Sequence, residues 1–237
     1  MTTDEPALEA EPAAGESAVS WRELAVARSL DSARIRAETR FQRFLDAAFE
    51  LMNEGEAGKD FTVQEVVERS GQSLRSFYQY FGGKHELLLA LFEETVRITT
   101  DGLRQKVNKE VDPLDRLHCF VVEYYRICRP APRNKSKNSS TTPVMVDFAQ
   151  QLLTGRPTEA AMAFAPLVSL FSEVLDDATA AGSVRAGLRE GPIAGMVLEA
   201  IMFNTFSATI GGTSTHSKAV DPAEELWDLL IRGIGVR

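Results

Sequence analysis

Arg75 and Gln79 stand four residues apart, one helical turn, in the segment SLRSFYQYFGGK. A guanidinium and a carboxamide are the groups that make paired hydrogen bonds to base edges in the major groove. Around them stand Ser73, Ser76, Tyr78 and Tyr80, whose hydroxyls suit phosphate oxygens. Lys84 then opens a new helical pattern, where a cation and free backbone amides can both meet a phosphate. Between Glu68 and Glu86 there is no acidic residue, while Arg69, Arg75 and Lys84 are present. In a chain of net charge -8, that window is the local condition for approaching a polyanion.

Two short helices must position these groups. Thr62 followed by Glu65 is a capping box, in which hydroxyl and carboxylate each satisfy an orphan amide; the Thr62 hydroxyl is also a candidate phosphate contact. Val63, Val66 and Val67 share one face. Ser70 and Gly71 end this helix, the glycine supplying the left-handed conformation that a C-terminus needs. Ser73 is the N-cap of the second helix. Leu74, Phe77 and Phe81 follow at i, i+3 and i+7, which predicts a buried stripe. Arg75, Ser76, Gln79 and Tyr80 are left on the opposite face, with Tyr78 at its flank, and Gly82-Gly83 breaks the helix.

The pattern resembles the tetracycline-repressor (TetR) family of bacterial transcriptional regulators. The matching residues are Phe61-Thr62, Ser70-Gly71-Gln72-Ser73, Phe77-Tyr78-Gln79-Tyr80-Phe81, and Gly82-Gly83-Lys84-His85-Glu86-Leu87-Leu88. The resemblance covers about residues 34 to 105. It implies an N-terminal three-helix helix-turn-helix DNA-binding domain, joined by a linker helix to a larger helical ligand-binding and dimerisation domain. It implies a homodimer on a palindromic double-stranded operator, most simply a repressor released by a small molecule. It places the start of the helix at 34–54 near the DNA backbone, so Arg36 and Arg40 join the phosphate-contact candidates; a solvated helix face is the alternative.

Composition points to the same class independently. Hydrophobic residues make up 44%, enough for a core, and few of them alternate in β-branched runs, so the expected fold is all-α. Two cysteines and no signal-peptide pattern point to a reducing cytoplasm. No apolar run reaches the roughly eighteen residues of a membrane span, so no membrane association is expected. Residues 1–20 hold five acids and no base and are expected to be a disordered acidic tail. Residues 21–84 then form the DNA-binding domain with an N-terminal extension, and residues 85–237 the linker helix and the second domain.

Within those bounds, residues 21–33 predict a short extra helix through Trp21, Leu24 and Leu30, and residues 34–54 a strong one. The helix after Lys84 carries Leu87, Leu88, Leu91, Phe92, Val96 and Ile98 on two sides, as a link between domains would. Residues 114–128 read as a mainly buried helix, and 130–143 as a polar loop with three bases. Helices are expected over 144–153, 157–181, 192–210 and 222–234. The 192–210 segment is apolar nearly all round, the pattern of a helix buried on all sides; one way to achieve that is to face the core on one side and a second subunit on the other. In the family the last two long helices form a dimeric four-helix bundle.

No catalytic, cofactor-binding or metal-binding constellation stands out, and no enzymatic activity is expected. His85, His118 and His216 lie in separate segments, and no HExxH, GxSxG, Walker loop or CxxC is present. Cys119 and Cys128 are nine residues apart, on opposite faces of one helix and ~13 Å apart along its axis. The second domain is the expected sensor. Phe120, Tyr124, Met145, Phe148, Met162, Phe171, Met202 and Phe206 are candidates to line a cavity for a lipophilic ligand, with Asn204 to orient it; ordinary core packing is the competing reading. A helical dimer acting through a protein partner, or sequestering a hydrophobic molecule without reading DNA, is the alternative for the whole chain.

Overall fold

A computed structural model describes residues 20–54, 61–129, 143–185, 190–210 and 221–235. The expectations for the acidic tail 1–20 and the 130–143 loop fall almost entirely outside the described residues. The described residues form α1 (Trp21–Glu54), α2 (Val63–Ser70), α3 (Leu74–Tyr80), α4 (Lys84–Val107), α5 (Pro113–Cys128), α6 (Pro143–Gly155), α7 (Pro157–Ala180), α8 (Glu190–Ile210) and α9 (Pro222–Ile234). The expected all-α class holds. The one β feature among the described residues is an isolated antiparallel bridge, Val184 to Gly235. The chain divides into two compact units, one ending at Gln42 and one starting at Arg43.

In the first unit the expected break near residue 33 is absent: α1 is one helix of 34 residues. Neither Gly nor Pro interrupts residues 21–54, so nothing stops propagation. Arg34 pairs with Glu38 at 2.7 Å, the Arg28 guanidinium lies 6.0 Å from the centre of the Trp21 ring, and Trp21, Val26, Leu30 and Ile35 are exposed.

The second unit opens on an aromatic cluster. Phe44 at the near end of α1 meets Phe77 edge-on at 5.5 Å and Phe81 at 6.0 Å, and Phe77 and Phe81 are 5.2 Å apart. All three rings are buried, together with Leu45, Ala48, Met52, Phe61, Val66 and Val67. Arg69 of α2 ties back to α1 through Glu54 at 2.7 Å and Glu50 at 3.3 Å. Leu74 departs from the expected stripe: it is 43% exposed. With only seven residues in α3, the core reaches the second turn and leaves the first outside.

Beyond α4, α5 is the central helix, packing against α4, α7, α8 and α9. Its start is fixed by Asp112, whose carboxylate accepts from the Leu114 and Asp115 amides, and by Pro113 in the first turn. Asp221 and Pro222 start α9 in the same way. Charged pairs lock the outer faces: Arg104 to Glu173 at 2.8 Å, Lys106 to Glu123 at 2.5 Å, and Arg116 to Asp177. Two expected core residues are outside it, Ile98 at 56% and Met162 at 68% exposed. By length and hydropathy, 1.3 over its apolar window, α7 could cross a membrane; here it is a core helix, packed against α4, α5, α6 and α8. On α8, Met196 and Phe203 remain exposed, as does Leu229 on α9.

Phe44 of α1 meets the rings of Phe77, Tyr80 and Phe81. Phe44→Ala is expected to destabilise the protein by about 3–5 kcal/mol, read as a shift in the urea unfolding midpoint at unchanged slope.

Candidate nucleic-acid interface and ligand cavity

The α2–turn–α3 unit is built by local rules. The Thr62 hydroxyl accepts from the Glu65 amide at 3.2 Å, and the Glu65 carboxylate accepts from the Thr62 amide at 2.7 Å. Gly71 sits at φ 64°, the left-handed region where a side chain costs about 1 kcal/mol. The Ser73 hydroxyl accepts from the Ser76 amide at 3.1 Å, starting α3. At the far end the Glu86 carboxylate accepts from the Gly82 amide at 2.7 Å. A Cβ on Gly82 would lie 2.6 Å from that carboxylate, so a side chain there would displace Glu86. Glu65 and Glu86 are therefore turned onto backbone amides, which lowers their repulsion of an incoming anion.

The expected contact residues fall into two groups. Arg75, Tyr78 and Gln79 are exposed on one face of α3, and neither Arg75 nor Gln79 has a polar partner among the described residues. Arg36 and Arg40 are exposed on α1, in the other compact unit. The remaining candidates are engaged in the fold. The Lys84 ammonium donates to the Phe61 carbonyl at 2.5 Å and lies 4.3 Å from the centre of the Phe61 ring. Tyr80 is half-buried with its ring 6.1 Å from Phe44. The Ser76 hydroxyl is buried without a partner. The Thr62 and Ser73 hydroxyls serve as helix caps.

A cavity of about 510 Å³ lies among α5, α6, α7 and α8. Tyr124 and Met202 line it as expected. The other expected residues do not. Phe120 and Phe171 stack on each other at 4.9 Å within the core. Phe148 packs between His85 and Phe92, at 5.5 and 6.1 Å. Met145 is buried outside the lining and Met162 points to solvent. Asn204 is exposed and accepts from the Tyr125 hydroxyl at 3.5 Å. The Phe206 side chain lies outside the described residues. The walls are instead Phe164, Leu153 and Leu198, with Ala160, Ala161, Ala165 and Gly195 making the space. The signal missed was smallness: bulky residues fill volume, and a run of alanines in an otherwise bulky apolar helix leaves it.

A polar contact links the start of α7 to the start of α4. Glu159, at the start of α7 beside the cavity-lining Pro157 and Ala160, lies 2.7 Å from Nε2 of His85, the second residue of α4. Arg156 holds the same carboxylate at 2.7 Å, and Arg156 first, then His85, keeps it below the usual carboxylate range. On α5, burial pushes the Cys128 thiol up to about 12, and burial likewise raises the Tyr124 phenol, which is hydrogen-bonded to that thiol. His118 is paired with Glu224 at 2.7 Å, and Cys119 and Cys128 are both free thiols.

Residues 44–91 match the family model described as bacterial regulatory proteins, tetR family. This segment is similar to tetR-family DNA-binding domains. The tetR-type fold extends over most of the chain. The fatty acid degradation regulator FadR from Bacillus halodurans aligns over 82% of this chain and 95% of its own, at 15% identity and TM-score 0.59. The transcriptional regulator FadR from Bacillus subtilis, in complex with stearoyl-CoA, aligns over 82% and 99%, at 14% identity and TM-score 0.61. A TetR family transcription regulator from Marinobacter aquaeolei VT8 aligns over 86% and 100%, at 16% identity and TM-score 0.57. A comparison with curated proteins gives no match. The chain is thus similar to tetR-family regulators in its 44–91 segment and in fold, and Arg75 and Gln79 stand where α3 presents side chains outward.

Arg75→Ala is expected to weaken operator binding by about 1–3 kcal/mol and to relax sequence preference. Lys84→Ala is expected instead to lower thermal stability, by about 1.5–3 kcal/mol for a hydrogen bond to a charged group. Operator affinity and melting curves on both variants check the split; unchanged affinity in Arg75→Ala removes it from the reading set.

Proposed function

We propose that this tetR-type regulator is a dimeric repressor that reads a palindromic operator and is released by a lipophilic small molecule. The carrying observation is the presence in one chain of an outward Arg75–Gln79 face and an apolar cavity. Residues 21–84 act as the DNA-binding part and 85–237 as the sensing and dimerising part, in the cytoplasm. Arg75 and Gln79 read bases. Tyr78, with Arg36 and Arg40 from α1, contacts phosphates. Thr62, Ser73, Tyr80 and Lys84 hold the reading helix in place. Met196 and Phe203 of α8 and Leu229 of α9 supply an exposed apolar surface for a second copy, and two-fold symmetry then matches palindromic half-sites. The B. subtilis FadR in complex with stearoyl-CoA supports a lipophilic occupant in this fold.

The path from cavity to DNA runs through α7. A ligand against Pro157 and Ala160 displaces the α7 start, Glu159 moves with it, and His85 carries the shift into the first turn of α4. That turn also holds Lys84 on Phe61 and Glu86 on Gly82, so α3 is re-aimed. The ligand acts only through its differential affinity for the two arrangements.

Selection from random duplex DNA at about 150 mM salt, where non-specific phosphate binding is suppressed, is expected to enrich a palindrome. Absence of enrichment from folded, ligand-free protein moves the reading to a helical dimer acting through a protein partner. On the selected operator, a double-mutant cycle of His85→Ala and Glu159→Ala is expected to show a coupling of about 0.5–3 kcal/mol. Strict additivity removes this pair from the signal path.

A further inference from the structure

The cavity has a one-sided charge. Among the described residues its lining contains a single carboxylate, Glu199 on α8, and no Lys, Arg or His. The base nearest in sequence, Arg156, precedes the lining residue Pro157, but its guanidinium donates to Glu159 at 2.7 Å. The inner wall ends on Tyr124, fully buried, a phenol that burial keeps protonated and neutral. Ser169 on α7 is the other hydroxyl. Everything else in the lining is hydrocarbon.

These facts constrain the occupant. An anionic head buried among these side chains loses its hydration without a cationic partner, which costs several kcal/mol, and one kept hydrated beside Glu199 meets that carboxylate instead. An uncharged hydrocarbon body gains about 25 cal/mol for each Å² removed from water. A cationic head on such a body gains in addition from Glu199, which is exposed at the rim, so the head stays hydrated while the body is buried.

Building on the reading of this cavity as the effector site, we propose that it takes a lipophilic cation and discriminates against lipophilic anions. The apolar body lies along the alanine face of α7, between Ala161, Ala165 and Gly195. The ammonium or equivalent head rests at Glu199, which sets the charge preference.

The test is equilibrium dialysis of the full chain with three probes of one chain length, each below its micelle concentration: dodecyltrimethylammonium, dodecanol and dodecanoate. The expected order is cation, then alcohol, then carboxylate. The cation is expected to lead the alcohol by about two- to fivefold, the range of a solvated ion pair, and the carboxylate to trail by about tenfold or more. Glu199→Gln is expected to bring the cation-to-alcohol ratio close to one. Ala161→Trp, a substitution on the exposed side of α7 that fills the cavity, is expected to abolish binding of all three while the protein melts as before. Dodecanoate binding as tightly as dodecanol, or a cation preference that survives Glu199→Gln, overturns the charge assignment and leaves the effector site standing. Binding of no probe, or binding that survives Ala161→Trp, overturns the effector-site reading itself.

Discussion

The structure depends on one clamp: the rings of Phe44, Phe77 and Phe81, mutually within 5.2 to 6.0 Å. A helix of seven residues is far below the length at which an isolated helix persists in water. The reading helix exists because Phe77 is held edge-on to Phe44 and because the chain leaves α3 through buried Phe81. The two caps, Ser73 at one end and the Gly82–Glu86 bond at the other, then set where it starts and stops. The outward direction of Arg75 and Gln79 follows from where the rings point inward. Recognition chemistry is thus a by-product of a hydrophobic decision.

Local rules made this part legible in the sequence. The capping box at Thr62 and Glu65, the left-handed Gly71 and the N-cap at Ser73 each involve residues within three or four positions, and all are present. Where local reasoning misjudged the region, the cause was distance: Leu74 has the right spacing for the stripe, but the first turn of α3 finds no partner. Lys84 was legible as a cation and not as the group that closes the head on Phe61, twenty-three positions earlier. The continuity of α1 was obscured because a change in apolar density near residue 33 looked like a boundary, although no residue there stops a helix.

The cavity was illegible for a different reason. Aromatic and methionine side chains attract attention as ligand contacts, yet Phe120, Phe148 and Phe171 occupy space that a ligand would need. Emptiness is made by what is small, and whether Ala160, Ala161 and Ala165 face a neighbour or a void depends on how α7 meets α8. That meeting is set by residues from four helices. The His85–Glu159 contact belongs to the same class, joining positions 74 apart in the chain.

A wall made of alanines and one glycine has an evolutionary consequence. Each added methyl trims the space, and each lost one enlarges it, with little effect on the core behind, because Ala161 and Ala165 are exposed and lie outside the packed face of α7. The DNA-reading rings admit no such drift, since every one is fully enclosed. Substitution at these positions can therefore reshape the cavity while leaving the fold as it is.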